Sequence, residues 1–286
     1  MLSVSVIIST YNRHYSLNNL LQSLLKQEFK DYFDYEIIII DNNSNDGTKD
    51  LIESYIRKSN RRLKYLFEPQ QGKSYALNRG IKEAMGDIIA FTDDDITLPS
   101  DWLQTIWGTF LDDSVNVISG RVIPIWPCEI PRWYSSKVKE PIVDINNGNE
   151  TKEIRYAIGC NMACRRKVFE KTLFLPYCRE DSAFSKIIRD KECIVYNPAL
   201  IVYHMITKQR ATKSYFIKWY YLSGNDMARF DIDNNQNFQK WRIRKTLSNI
   251  VNLTFNFFNS EERIAHTCKI SFFLGYAYRR LVKFKL

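Results

Sequence analysis

Three consecutive carboxylates, Asp93-Asp94-Asp95, follow the apolar run Asp87–Phe91. Carboxylates at i and i+2 of an extended segment point the same way, so Asp93 and Asp95 are expected to converge on one target. Like charges held together repel unless a cation sits among them. Mg2+ and Mn2+ take oxygen ligands and bind through one or two carboxylates together with substrate phosphates. Acids at the end of a buried strand therefore suit metal-assisted chemistry better than they suit a solvated turn. Arg13 and Asp41 follow two other apolar runs.

These runs belong to a regular alternation. Val4–Ser9, Glu36–Ile40, Lys64–Phe67 and Asp87–Phe91 read as strands. Between the first two, Leu17, Leu20, Leu21, Leu24 and Leu25 recur at helical spacing. Leu51, Ile52, Tyr55 and Ile56 mark a second helix and Gly72–Met85 a loop and third helix. Alternating strands and helices predict an α/β, doubly wound, mostly parallel sheet. Such sheets bind ligands outside the carboxyl ends of their strands. Here those ends carry Arg13, Asp41 and Asp93–Asp95. Residues 100–160, broken by four prolines, read as a mixed region expected to cover the site. After 205 the pattern turns helical. Residues 238–286 read as two basic amphipathic helices, the second with Ile270, Leu274, Ala277, Leu281 and Phe284 along one side.

Composition removes several classes. The 286 residues are 45% apolar and 26% charged, which excludes a disordered chain. No run of 18 apolar residues predicts a transmembrane helix, and the first residues do not read as a signal peptide. The six cysteines, Cys128, Cys160, Cys164, Cys178, Cys193 and Cys268, form no CxxC pair and are expected to be reduced thiols. Cys160 and Cys164 could share a helix face, which is little support for a zinc site. The formal charge of +9 is uneven: residues 201–286 hold 15 Lys and Arg against 5 Asp and Glu. A basic end of this kind seeks phosphates. Its aromatic residues are not interleaved with basic ones in a nucleic-acid-binding motif, so no nucleic-acid partner is expected.

The first strand is followed by Ser9-Thr10-Tyr11-Asn12-Arg13, not by GxGxxG, and GxxxxGK[ST] is absent. VSVIISTYNR at 4–13, EIIIIDNNSNDGT at 36–48, QGKSYALNRGI at 71–81 and DIIAFTDDD at 87–95 together resemble the family 2 glycosyltransferases. Later matches are GCNMACRR at 159–166, Arg179-Glu180-Asp181, and His204 followed by Arg210-Ala211-Thr212. The resemblance implies a GT-A fold, a nucleotide-sugar donor and inverting transfer. It implies that Thr10, Tyr11 and Arg13 form the first nucleotide-contacting loop and that Asp41 reads the base, most often uracil. Lys73 would contact the donor. Asp93 and Asp95 match the DxD pair at the metal, Asp95 as the direct ligand and Asp93 nearer the ribose or a metal-bound water, with Asp94 among the donor-binding residues. His204 would complete the metal site, while Arg210 and Lys213 would neutralise the leaving diphosphate. Asp181, beside Glu180, would act as general base. Leu77 departs from the pattern, since the family commonly has a basic residue there.

Elementary chemistry agrees with these roles. A sugar–diphosphate bond leaves a charged group behind, which calls for cations rather than a proton donor. The acceptor hydroxyl needs a carboxylate to take its proton. A base opposite the leaving group gives single displacement with inversion, as in inverting glycosidases. The expectation is therefore a metal-dependent (Mn2+ or Mg2+) glycosyltransferase acting on a UDP-sugar. Its acceptor would be a glycan or lipid-linked saccharide in bacterial surface polysaccharide synthesis. A GT-A domain is expected over 1–230 (1–99 nucleotide-binding, 100–230 acceptor and catalytic), with a helical extension over 231–286. The location expected is cytoplasmic, with the basic end at the anionic inner face of the plasma membrane. A phosphoester hydrolase or nucleotidyltransferase using Asp93 and Asp95 is the alternative.

Overall fold

Strand β1 (Val4–Thr10) is enclosed, with Val4, Val6, Ile7 and Ile8 wholly buried. A strand covered on both faces needs apolar side chains at odd and even positions alike, which is what the continuous run supplies. The same holds for β2 (Tyr35–Asp41), whose Ile37–Ile40 run is buried. The computed structural model describes residues 2–57, 62–176, 179–235, 241–256 and 259–283. Cys178 and Phe284 lie outside the described residues.

Helices α1 (His14–Leu24), α2 (Thr48–Ile56) and α3 (Lys73–Glu83) alternate with β1, β2, β3 (Leu63–Phe67) and β4 (Ile88–Asp93). The β1 register places Thr10 beside Asp41 and Ser9 beside Asp93, so the carboxyl ends of β1, β2 and β4 lie level. Beyond β4 the sheet is antiparallel. β5 (Ile96–Thr97), β6 (Val117–Ile125), β7 (Lys152–Ile154), β8 (Met162–Arg165) and β9 (Ile194–Met205) give the order β3-β2-β1-β4-β8-β6-β9-β5, with β7 on β9. The mostly parallel sheet of the sequence reading is thus a mixed sheet whose parallel part is built by the first 95 residues. α4 (Trp102–Thr109) and α5 (Glu180–Ile188) complete this layer. Cys160 and Cys164 share no helix: Cys160 precedes β8 and Cys164 lies within it, and burial raises both thiols. Cys128, Cys160, Cys164, Cys193 and Cys268 are free.

The chain divides into two compact units. One comprises residues 1–123, 145–176 and 180–205; the other comprises 124–144, 179 and 206 onward. The second contains α6 (Lys213–Asp233), α7 (Trp241–Phe255) and α8 (Ser260–Lys283). Its core includes Val138, Ile142, Ile206, Phe216, Ile264, Ala265 and Cys268. α6 and α8 cross at Gly224 and Gly275: a Cβ on Gly224 would lie 1.9 Å from the Phe272 carbonyl oxygen, and one on Gly275 equally close to that of Tyr221. Only glycine admits so close a backbone approach. This crossing fixes the rotation of α8 and corrects its expected apolar side. Ile264, Ala265, Cys268, Ser271 and Tyr276 face inward, whereas Leu274 and Leu281 are 55% and 67% exposed. No helix among the described residues is long and apolar enough to cross a membrane.

Candidate active site

The loop after β1 is stitched to the loop after β2. The Asn12 amide donates to Ser44 Oγ at 3.0 Å, and Asn12 Oδ1 accepts from the Asn45 amide at 2.8 Å. Asn12 and Asn43 both take positive φ, 51° and 70°. Asparagine tolerates that region better than other side-chain-bearing residues. Asp41, almost fully buried, accepts from the Ser44 amide at 2.9 Å and from the Tyr65 hydroxyl at 3.2 Å. Burial and the Asp41 carboxylate push the Tyr65 hydroxyl up to about 12. Thr10 is buried at the end of β1, while Tyr11 is exposed beside it.

Asn42 is the next anchor. Its Nδ2 donates to the carbonyls of Glu68 and Gln70 at 3.0 and 2.7 Å, and its Oδ1 accepts from the Gly72 amide at 2.8 Å. One buried side chain therefore shapes the loop that leads into α3. Gly72, at φ 137°, turns the chain so that Lys73 opens that helix.

Lys73 and Arg13 then meet the acids. Lys73 Nζ lies 2.7 Å from Asp93 Oδ1 and 2.8 Å from Glu180 Oε1. Arg13 Nη1 lies 3.0 Å from Asp94 Oδ1 and 2.6 Å from Asp95 Oδ2. Asp93 and Asp95 take their short ion pairs from different cations, Lys73 and Arg13, while the charges of both act on Arg13 and on Cys160. β4 ends at Asp93 and the chain turns at Asp94-Asp95, so the two-residue alternation stops. The acids that share a partner are Asp94 and Asp95. Against the cost of burial, these two carboxylates hold the Arg13 guanidinium above its ordinary range. Burial pushes Asp94 up to about 6, with the charges of Asp95 and Asp93 acting against Arg13.

His204 reaches the same place from β9, paired with Ile96 of β5. The Met205 amide donates to the Asp95 carbonyl at 3.0 Å. His204 Nε2 lies 3.5 Å from Asp95 Oδ2, both side chains being buried. At the opening of α5, the Asp181 Oδ2 accepts from the Gly159 amide at 3.0 Å. Glu180 is buried whereas Asp181 is half-exposed, so adjacent acids have different access. Burial pushes Glu180 up to about 7, opposed by Lys73 and assisted by the Asp181 charge.

Among the described residues, no three His, Cys, Asp or Glu side chains cluster closely enough to ligate a metal unaided. Asp95 and His204 are the residues that would hold a divalent ion, which would supply positive charge beside a substrate phosphate and take the Asp95 oxygen now 2.6 Å from Arg13.

Other expected residues have different settings. Arg210 and Lys213 belong to the helical unit, where Thr212 caps α6 by accepting from the Tyr215 amide at 3.3 Å. Leu77 is buried in the core of the sheet unit, and Arg79 pairs with Glu83 along α3. The GCNMACRR segment is structural scaffolding. Asn161 bonds Trp102 and the carbonyls of Arg121 and Leu200, while Arg166 binds the carbonyls of Ala84 and Gly86. Sequence reasoning missed Asn12, Asn42, Tyr65 and Gly159. The tandem Asn42-Asn43 directly after a buried strand was the available signal for a side chain that organises a loop.

Comparison with known proteins defines the class. Residues 5–173 match the profile of Glycosyl transferase family 2, and the chain belongs to that family. The fold is GT-A: over 99% of this chain and 75% of the other, it superposes on mannosyltransferase PcManGT from Pyrobaculum calidifontis, solved with GDP-Man and Mn2+ (TM-score 0.59, 18% identity). S. aureus TarS 1-349 with UDP-GlcNAc superposes over 99% of this chain and 92% of the other (TM-score 0.57, 18% identity).

Particular relatives include the GalNAc(5)-diNAcBac-PP-undecaprenol beta-1,3-glucosyltransferase of Campylobacter jejuni, 37% identical over 37% of this chain and 34% of its own. Glycosyltransferase AglE of Haloferax volcanii is 33% identical over 43% of this chain and 40% of its own. The match thus spans well under half of these relatives' lengths. The protein is a family 2 glycosyltransferase with relatives in bacterial glycan and lipid-linked saccharide synthesis.

Proposed function

We propose that the protein transfers a sugar, with inversion, from a UDP-sugar to a glycan or lipid-linked saccharide at an anionic membrane surface. The observation that carries this reading is the chain of contacts Asp95–Arg13–Asp94 and Asp93–Lys73–Glu180 at level strand ends, with Asp41 and Asp181 in the same unit. Asp41, held by Ser44 and Tyr65, has the fixed orientation that reading a base requires, with Thr10 and Tyr11 beside the nucleoside. Asp95 and His204 would hold a divalent cation, with Asp93 and Asp94 on the donor side. When bound, that ion neutralises charge building on the leaving diphosphate. Lys73 and Arg13 are the chain's own cations in this unit for the same charge. Arg210 and Lys213, at the start of the helical unit, carry the diphosphate role that the family resemblance gives them.

Asp181 takes the acceptor proton. It is the accessible member of the acidic pair, and the Gly159 amide fixes the carboxylate without neutralising it. Glu180, tied to Lys73, positions the opening of α5. The names of the relatives support the acceptor class: one acts on an undecaprenol-linked saccharide and another on poly(ribitol-phosphate).

A thermal-shift screen of nucleotide-sugars with and without Mn2+ tests the reading. One UDP-sugar raises the melting temperature only with the ion, and Asp95→Ala removes the shift. Release of pyrophosphate or inorganic phosphate instead of UDP would replace this reading with nucleotidyl transfer or hydrolysis.

A further inference from the structure

Two half-buried arginines of the sheet unit, Arg165 and Arg166, spend their guanidinium groups on backbone carbonyls, those of Phe110 and Val115 and those of Ala84 and Gly86. Arg121 of β6 is half-buried as well. Yet among the described residues no hydrogen bond or ion pair holds its guanidinium, and its Nε is buried without a partner. A buried donor left unmet costs stability. An arginine kept in that state suits an acceptor that the chain itself does not supply.

The sheet says where this arginine stands. Val117 and Ser119 of β6 lie opposite Cys164 and Met162 of β8. Val117, Met162, Cys164 and Phe91 of β4 share one cluster with Phe184 of α5, so they lie on the face that α5 covers. Alternate residues of a strand keep to one face, which puts Arg121 in the row of Val117 and Ser119. The Gly120 amide donates to the Asn161 carbonyl at 3.0 Å, so the pairing continues and Arg121 comes level with Cys160. Counted likewise from Phe91 opposite Met162, Asp93 comes level with Cys160 on its other side. Besides burial, the charges of Asp93, Lys73, Asp95 and Asp181 all act on Cys160. Ser119 Oγ accepts from the Ile158 amide at 3.0 Å, and the next amide, that of Gly159, holds Asp181. Arg121 therefore stands two strands from Asp93, on the face that carries Asp181.

A guanidinium presents a planar fork of N–H donors that matches two oxygens of a carboxylate or a phosphate. We propose that Arg121 binds an anionic group, carboxylate or phosphate, of the acceptor saccharide and so selects acidic acceptors. This rests on the reading of Asp181 as the residue that faces the acceptor. The full chain is titrated by calorimetry with methyl glucoside, methyl glucuronide and methyl glucoside 6-phosphate, each with and without UDP and Mn2+. Wild type binds one charged glycoside about tenfold tighter than the neutral one, the worth of a hydrogen bond to a charged group. Which of the two it prefers tells carboxylate from phosphate. Arg121→Gln removes the preference, and Arg121→Lys, which keeps the charge without the fork, restores part of it. Neither variant lowers the melting temperature or weakens UDP binding, because no partner within the chain is lost. Equal binding of all three glycosides by wild type, or a preference undiminished in Arg121→Gln, overturns the proposal. So does loss of UDP binding in Arg121→Gln, which puts the guanidinium at the donor, or a melting temperature lowered in both variants, which makes it structural. UDP binding by wild type reports on the donor reading separately, and the titrations without UDP decide the glycoside preference whichever way that falls.

Discussion

The two units distribute polarity in opposite ways. In the sheet unit, charges are gathered at one edge and matched, Arg13 to Asp94 and Asp95, Lys73 to Asp93 and Glu180, while the apolar residues fill the interior. In the helical unit, α7 turns Thr246 and Asn249 inward and Leu247 and Val251 outward. A matched polar edge is organised before a ligand arrives, so little reorganisation opposes binding or reaction. The sheet unit thus gathers its charges at one edge, whereas α7 of the helical unit leaves apolar side chains exposed.

Substitutions break this comparison at different depths. Asp181→Asn has the largest expected effect, lowering kcat by about 10²–10⁴-fold, the usual worth of a general base, with donor affinity retained. UDP release and donor titration separate the two quantities. Gly224→Ala forces a Cβ into the Phe272 carbonyl and destabilises the helical unit by about 3 kcal/mol, read as a lower melting temperature. Asn42→Ala frees the loop before Lys73 and raises the donor KM about tenfold while kcat changes less, because several loop hydrogen bonds of about 1 kcal/mol each are lost.

The smallest effect sharpens the comparison through pH. Glu180 sits at about 7 in the folded chain, above its ordinary 4.5, so between those values the native state holds a proton that the unfolded chain has released. Its contribution is present below about pH 4.5 and is lost as pH rises through 7. Asp94, at about 6, acts in the same sense, whereas Glu36, Asp46 and Asp87 are lowered and lose their contribution only in acid. Melting curves from pH 5 to 7 should show a flatter pH dependence in Glu180→Gln than in wild type.

Much of the sheet and its polar edge was legible beforehand. Residues 4–95 carry continuous apolar runs whose ends bear Arg13, Asp41 and Asp93–Asp95, and the β1 register brings those ends level. Pairing within the edge was not legible. Which cation pairs with Asp93 and which with Asp95 depends on where the strand ends, and helical or strand periodicity does not resolve such a boundary. His204 was visible only as the end of an apolar run; its place beside Asp95 comes from antiparallel pairing across more than a hundred residues. The face of α8 was misread for a related reason. Helical periodicity marks apolar positions without saying which are covered, and the Gly224–Gly275 crossing chose the small-residue side.

The amino-acid order by itself determined the strand–helix alternation, the acids and cations available at the strand ends, and the basic character of the last 86 residues. These follow from local steric preference, side-chain period and composition, which need no partner in space. Tertiary structure decided which cation holds which carboxylate, which of Glu180 and Asp181 stays accessible, and which side of α7 and α8 meets water. Those outcomes depend on contacts between residues far apart in the chain, and their energies exist only once the backbone has brought the partners together.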